Sequence, residues 1–259
     1  MTRWIRCSFV WTTILMLTAT AAIAWGDDCD HTAPREEVID AAGAELVEID
    51  ASAGFLRVLG SDGAGQIQVR GEACASSERL LEDVQLEVRQ SGDRVRIDVE
   101  IPDSSWGRSS TARLDLVIEV PSNVAVEIDD GSGSIEVRNV ASAEIDDGSG
   151  SIEVRDVAGD LAIDDGSGEI EAINVAGEVR IDDGSGAIDL RQVGSVMIDE
   201  DGSGEIDIEE VYGDVMVRSD GSGSISVRDV DGDFTVRRDG SGGINHRAVA
   251  GLVDIPDGD

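Results

Sequence analysis

The sequence predicts an all-β fold, a parallel β-solenoid whose coils have about 18 residues and two strands each. Three observations predict it. The tetrapeptide Asp-Gly-Ser-Gly recurs seven times between residues 130 and 242, at intervals of 17 to 19 residues. An isoleucine stands two residues after each tetrapeptide, and a valine stands five residues further on. Between these positions apolar and polar residues alternate, which is typical of strands.

Each repeat is expected to contain a strand, a turn at Ala-Gly or a similar pair, a second strand and the Asp-Gly-Ser-Gly turn. Repeats of 17 to 19 residues are too short for a helical crossover, and a β-propeller blade needs about 40 residues. Ordering one coil costs more free energy than its few buried side chains return. We therefore expect the coils to be stable only as a stack.

Residues 1–24 are expected to be a signal peptide. Arg3 and Arg6 precede an uncharged apolar run, which ends in Ala22-Ile23-Ala24 before Trp25, as in cleaved export signals. An uncleaved membrane anchor is the alternative, because the run nearly reaches the ~20 residues that span a bilayer. After cleavage we expect a periplasmic or secreted protein with no transmembrane segment in the mature chain.

Residues 25–42 are expected to form an N-terminal extension. With the signal peptide removed, Cys29 and Cys74 remain, and an even pair in an oxidising compartment predicts a disulfide. A reactive thiol or a metal ligand is the alternative, but the only histidines are His31 and His246.

Residues 43–122 show alternating strands of uneven length and are expected to form irregular opening coils, with a long loop around Trp106. The regular solenoid is expected over residues 123–255. In its last repeat His246 stands where Val154 and Val227 stand in earlier repeats, which predicts a polar end cap rather than a histidine-based site.

The composition is strongly acidic, with 55 acidic and 20 basic residues and a formal net charge of −35. Nucleic acid is therefore excluded as a partner, because a polyanion would be repelled. Paired carboxylates such as Asp129-Asp130 recur in successive coils, whereas a catalytic centre is singular and breaks a repeat. We therefore expect no enzyme, and a polysaccharide-active β-helix enzyme is the third hypothesis for function.

One aspartate in each Asp-Gly-Ser-Gly turn forms a column along the stack, and like charges at the coil spacing repel one another. In one interpretation each carboxylate accepts from backbone N–H groups of its own turn while water and salt screen the rest, and no cofactor is needed. In the other, Ca²⁺ lies between the coils. The candidate ligands are Asp130, Asp147, Asp165, Asp183, Asp201, Asp220 and Asp239. On a strand face, columns of Glu and Arg are expected to lie side by side.

The apolar N-terminus, the strand that ends in Val120-Pro121 and the tandem repeats resemble the putative adhesin family of bacterial β-strand repeat proteins, over about residues 43–255. The resemblance implies a right-handed β-solenoid and an extracytoplasmic, envelope-associated location, and it carries over no catalytic residue. We therefore expect an exported, non-enzymatic, adhesin-like interaction or scaffold module, whose partner is an unknown envelope protein or glycan. A Ca²⁺-binding extracellular β-solenoid is the alternative.

Overall fold

The computed structural model of the protein describes residues 29–102 and 111–256. The expected signal peptide, its cleavage site and most of the expected loop around Trp106 lie outside the described residues. The fold is almost entirely strand, as the repeat predicted.

The elements follow one another in a simple order. The N-terminal part contains β1 (His31–Asp40), β2 (Leu46–Ala51), β3 (Leu56–Ser61), β4 (Gln66–Ala75), α1 (Glu78–Asp83), β5 (Gln85–Ser91), β6 (Arg94–Glu100) and β7 (Ala112–Pro121). The repeats contain β8 (Ala125–Asp130), β9 (Ile135–Val140), β10 (Ser142–Asp147), β11 (Ile152–Val157), β12 (Leu161–Asp165), β13 (Gly168–Asp183), β14 (Gly186–Asp201), β15 (Gly204–Val211), β16 (Val215–Val217), β17 (Gly223–Val230), β18 (Phe234–Val236), β19 (Gly242–Val249) and β20 (Val253–Asp254).

The repeats form two parallel ladders, which we call sheet 1 and sheet 2. Sheet 1 runs through β8, β10, β12, the second halves of β13 and β14, β16, β18 and β20. Sheet 2 runs through β9, β11, the first halves of β13 and β14, β15, β17 and β19. Identical repeat positions are paired, as in Ile152 with Ile170, so each coil lies in register on the next.

The core lies between the two sheets. Because side chains alternate across a strand, sheet 1 turns residues such as Ile145 and Ile163 inward, and sheet 2 turns Ile170 and Val175 inward. These four side chains are at most 3% exposed. The isoleucine and valine columns of the repeat are therefore the core layers of the stack.

The N-terminal coils are stacked in an order that the repeat did not predict. The coil formed by β2 and β3 lies directly against β8 and β9. The later strands β6 and β7 pair with the opposite edges of β2 and β3. Three further strands then join antiparallel, β5 to β6, β4 to β7 and β1 to β4. The expected irregular opening coils thus include antiparallel strands that cover one end of the stack.

Candidate functional site

The seven turn aspartates form one column along a corner of the solenoid, which we call the Asp column. Its members are Asp130, Asp147, Asp165, Asp183, Asp201, Asp220 and Asp239. The first five each follow an exposed residue of sheet 1 and point inward, as in Asp164 and Asp165. Asp220 and Asp239 continue the column through single bridges beyond the ends of β16 and β18. The first six are between 1% and 3% exposed, and Asp239 is half-buried. On the N-terminal side the column ends at Ala51, which pairs with Asp130.

This burial corrects one expectation. The sequence interpretation left the carboxylates open to water and salt, but six of them are shielded from both. Asp130, Asp147, Asp165 and Asp183 share the phase of the core isoleucines two positions before them, such as Ile145 and Ile163. The alternation that places isoleucine inside thus also places these four aspartates inside. Asp201 lies three positions after Ile198, and a register shift between β13 and β14 brings it back into line with Asp183.

The turn supplies one hydrogen bond to several of these carboxylates. The backbone N–H of Ser149 donates to Asp147 (3.2 Å), that of Ser167 to Asp165 (3.0 Å) and that of Ser185 to Asp183 (3.0 Å). This is the local bond expected of an aspartate two residues before a turn N–H. The two glycine N–H groups of a turn are engaged elsewhere: Gly166 donates to the carbonyl of Asp147, and Gly168 donates to the carbonyl of Ser185.

The remaining acceptor sites have no partner. Ten carboxylate oxygens of the Asp column are inaccessible to solvent and accept no hydrogen bond. Burial raises the pKa of Asp130 to about 7, with a smaller contribution from Asp147. Burial likewise raises the pKa of Asp201 to about 7, helped by Asp220, and the pKa of Asp165 to about 6. Buried polar groups without partners are rare in proteins, so the column is the clearest physical anomaly of the fold.

The structure brings the candidate calcium ligands into one line rather than into a cage. Within residues 29–102 and 111–256, no group of three or more Asp, Glu, His or Cys side chains could hold a metal ion. A calcium ion takes six to eight oxygen ligands, and the described column offers carboxylates only from above and below. The calcium hypothesis therefore stays a prediction, and we assign the column no metal.

The paired carboxylates of each repeat do not converge on a common point. In Asp146-Asp147 and Asp164-Asp165 the first side chain is exposed and the second is buried. Their carboxylates thus lie on opposite sides of the strand, whereas a glycosidase needs two carboxyl groups that flank one bond. These pairs therefore do not form an acid–base site.

The outer face of sheet 2 carries a charge ladder in which opposite charges alternate. Arg138 contacts Glu136 (2.6 Å) and Glu153 (2.8 Å), and Arg155 contacts Glu153 (2.6 Å) and Glu171 (2.7 Å). Further along, Arg191 contacts Asp189, and Arg228 contacts Asp207 and Glu209. The Glu and Arg columns noted in the sequence are thus neutralised between coils.

The outer face of sheet 1 differs, because part of it carries acids that form no ion pair. We call this part the acidic face; its residues are Glu127, Asp129, Glu144, Asp146, Asp164 and Asp182, all exposed. None of them forms an ion pair with another described residue, since nearby Arg180 pairs with Asp199 and Arg96 pairs with Glu48, Asp50 and Asp98. Burial and the charges of Asp164 and Asp129 raise the pKa of Asp146.

A shallow groove runs along the acidic face. Its lining includes Glu144, Asp146, Ala162, Asp164 and Asp182, together with one base, Arg180, which is paired with Asp199. The notch arises because Ala162 occupies the position that Glu127 and Glu144 occupy in earlier coils. The acidic face is therefore a concave, negatively charged surface of the described chain.

Two further predicted positions can be placed. Cys29 and Cys74 form a disulfide with Cα atoms 5.6 Å apart, and this bond ties the start of the described chain to β4. His246 is exposed in β19, and its ring centroid lies 6.1 Å from that of Phe234. In β19 even Ile244 and Val249 are only half-buried, so His246 lies in a solvent-facing end coil of the described stack.

One column was missed by sequence reasoning. The residue before each valine of the repeat has a positive φ between 54° and 60°. These residues are Asn139, Asp156, Asn174, Gln192, Glu210, Asp229 and Ala248. Asn and Asp tolerate this left-handed conformation best, and their recurrence there was the available signal. The column turns the chain from sheet 2 back towards sheet 1.

The fold and the Asp column define a class of protein, a repeat-built β-solenoid with a stacked row of buried turn aspartates. The family model described as Toastrack DUF4097 matches residues 48–255. The chain therefore belongs to the Toastrack DUF4097 family, a domain family of unknown function. A comparison with curated proteins finds no match.

Solved structures of similar proteins are more distant. A putative lipid binding protein from Parabacteroides distasonis is 16% identical, with a TM-score of 0.43, covering 86% of this chain and 97% of its own. A putative adhesin from Bacteroides fragilis is 12% identical, with a TM-score of 0.36, covering 88% and 98%. A putative cell adhesion protein from Clostridium sporogenes is 12% identical, with a TM-score of 0.33, covering 86% and 99%.

The one helix of the described residues, α1, has six residues. Neither it nor any other part of residues 29–102 and 111–256 forms a helix with the length and apolar character needed to cross a membrane.

Proposed function

We propose that this chain is an exported, non-enzymatic β-solenoid that acts as an interaction module of the bacterial envelope or surface, and that the acidic face is its binding surface. The observation that carries the proposal is the difference between the two outer faces. Sheet 2 pairs its charges between coils, whereas none of the six neighbouring acids of sheet 1 forms an ion pair with a described residue.

The absence of a catalytic role is supported by the divergence of the paired carboxylates. Asp146 and Asp147 point to opposite sides of their strand, and the same holds in successive coils. A repeated surface of this kind suits a partner that makes the same contact several times along the stack. The names of the similar structures, adhesins among them, are compatible with a binding role.

The charge of the acidic face indicates the chemistry of its partner. Carboxylates at the strand spacing of about 4.8 Å repel one another, and a partner with clustered Arg or Lys side chains would relieve that repulsion. Electrostatic complementarity of this kind speeds encounter and selects partners more than it adds raw affinity. We therefore expect binding to a basic protein surface that weakens as salt concentration rises.

The test compares three forms of the full chain, each immobilised and exposed to an envelope extract. The first is the wild type. The second carries Glu144→Gln, Asp146→Asn and Asp164→Asn in the acidic face. The third is a control that removes three exposed acids elsewhere, Glu169→Gln, Glu205→Gln and Asp231→Asn. The two variants have the same net charge, so a nonspecific charge effect would act equally on both.

We expect the wild type and the control to retain the same basic protein, eluted by moderate salt, and the acidic-face variant to retain at least about tenfold less of it. Equal retention by all three forms, or retention of a neutral glycan alone, would contradict the role of the acidic face. Export is tested separately by the intact mass of the protein recovered from the cell exterior or periplasm. A chain that still begins at Met1 would contradict signal cleavage before Trp25.

A further inference from the structure

The Asp column contains more acceptors than the described structure has donors for. At Asp147, Asp165 and Asp183 one oxygen accepts from a serine N–H, and the other oxygen accepts nothing. At Asp201 and Asp220 neither oxygen accepts a hydrogen bond of normal geometry, and the backbone N–H groups of Ser203 and Ser222 lie only near enough to lower the pKa of these carboxyls. The glycine N–H groups of the same turns already donate to backbone carbonyls of neighbouring coils. The missing donors must therefore come from something other than the turns.

The charged groups around the Asp column do not compensate its buried negative charge. Beyond burial, repulsion from Asp147 and Asp129 raises the pKa of Asp130, and repulsion from Asp147, Asp183 and Asp164 raises the pKa of Asp165. Asp220 and Asp183 raise the pKa of Asp201. Asp239 raises the pKa of Asp220, whereas a hydrogen bond with Asp201 lowers it. Asp146 acts on Asp147, and Asp182 acts on Asp183. All of these neighbours are acids, so no cation among the described residues offsets the buried charge.

Protonation of a column carboxyl supplies a hydrogen-bond donor and removes a buried negative charge. An ionised carboxylate can only accept hydrogen bonds, whereas a protonated carboxyl also donates one. The carboxyls of Asp201 and Asp220, and those of Asp220 and Asp239, are close enough for a hydrogen bond between them once one of each pair carries a proton. A buried carboxyl avoids the large cost of an unpaired buried charge by remaining neutral.

We propose that the Asp column is a proton-binding site, in which neighbouring buried carboxyls share protons along the stack and so hold the coils together. The site is distinct from the acidic face and does not rest on the proposed function. The described geometry favours protons over metal ions, because the carboxylate oxygens have no solvent-accessible surface and no group of three ligands surrounds a common point in the described chain.

The pKa shifts support this assignment and determine how the stability of the fold should depend on pH. Burial raises the pKa of each column carboxyl from Asp130 to Asp220. The folded protein then binds more protons than the unfolded chain between the ordinary carboxyl value of about 4 and the raised values near 6 to 7. Stability should therefore be greatest below this window, fall as pH rises through it and level off above it.

The experiment uses paired substitutions in the full chain. Asp165→Asn with Asp183→Asn replaces two column carboxyls by amides, which supply a donor and an acceptor without a charge. Asp164→Asn with Asp182→Asn is the matched control, because it removes the exposed neighbours of the same two residues. Melting temperature is measured for all three proteins at about pH 5, in the lower part of the window where the column carboxyls are still protonated, and at about pH 8.5, above the window.

We expect the wild type to melt about 5 °C or more lower at the higher pH, and the control to keep most of that difference. The column variant should lose much of the difference and should melt above the wild type at the higher pH. The infrared band of protonated carboxyl groups, recorded at about pH 5.5, where the ordinary carboxyl value of about 4 leaves surface acids ionised, gives an independent readout. It should be present in the wild type and weaker in the column variant.

Three results would overturn the proposal. One is a wild-type melting temperature that does not fall between the two pH values. Another is a control that loses as much of the difference as the column variant does, because surface repulsion would then explain it. The third is a wild type that melts higher in about 1 mM CaCl₂ and lower in EDTA, with no such response in the column variant, which would make the column a calcium site.

Discussion

Replacing Gly150 by alanine tests the stacked turn most directly. Gly150 is the last residue of an Asp-Gly-Ser-Gly turn and has a φ of +148°. A Cβ atom added there would lie 1.5 Å from the carbonyl oxygen of Gly133 in the coil below. Cβ atoms essentially never approach such an atom within 3.0 Å, so the two coils would have to separate by roughly 1.5 Å at this corner.

That separation determines how much stability the substitution removes. It breaks the ladder hydrogen bonds from Gly133 N–H to Ser149 and from Gly148 N–H to Asp130, which are 3.0 and 2.9 Å long. Each is worth about 1 kcal/mol net, and a Cβ at this backbone conformation costs a further ~1–2 kcal/mol. We therefore expect Gly150→Ala to lower the free energy of unfolding by about 3–4 kcal/mol.

The assay is urea denaturation followed by far-ultraviolet circular dichroism, with Gly65→Ala as the matched control. A Cβ at Gly65 would meet nothing within 4 Å, and the shift there should be neutral or slightly stabilising, because alanine lowers the entropy of the unfolded chain. Two variants that differ by less than about 1 kcal/mol would refute the close stacking of the glycines.

Three further predictions follow from the same stack. Ile170 is fully buried in the middle of sheet 2, so Ile170→Asp should cost more than about 4 kcal/mol and abolish the circular dichroism signal of the folded state; a cooperative melt near the wild-type temperature would contradict the core assignment. The disulfide between Cys29 and Cys74 joins residues 45 positions apart in the sequence. Cys74→Ser should therefore lower the free energy of unfolding by about 4 kcal/mol in the chain-entropy account. Thermal melting measures this loss, and a melt identical to that of the oxidised wild type would contradict the prediction. Arg155 is about one-third exposed and bridges Glu153 and Glu171, so Arg155→Ala should cost less than about 1 kcal/mol at low salt and less still at high salt; a salt-independent loss would instead indicate a packing role for its alkyl chain.

The repeat made most of the solenoid predictable from the sequence. The fixed offsets of Ile152 and Ile170 from their turns, and of Val157 and Val175 from these, predicted positions stacked in register, and both pairs are in register in sheet 2. The columns of charge on sheet 2 were also visible, because every second residue of a strand shares a face. The difference between the two outer faces was not recognised, since it depends on where the few arginines come to lie.

The burial of Asp130, Asp147, Asp165 and Asp183 could have been predicted from the same alternation, whereas that of Asp201 depends on the register shift between β13 and β14. Asp165 is two residues after Ile163 and therefore shares its inward direction. An aspartate in a turn predicted a solvated side chain instead, because aspartate is rarely buried without a partner. Tertiary stacking overrode that preference, since the first glycine of each turn is tied to the coil below.

The sequence by itself determined the coil length, the two strands of each coil, the inward columns and the in-register stacking, because these follow from local alternation repeated at a nearly constant interval. Only the tertiary structure decided the order of the N-terminal coils, in which β2 and β3 lie between later strands. Residues 43–122 have no repeat, so no local pattern chooses which strand edge each segment pairs with. That choice is made by whichever arrangement covers the open backbone edges and apolar faces of the stack.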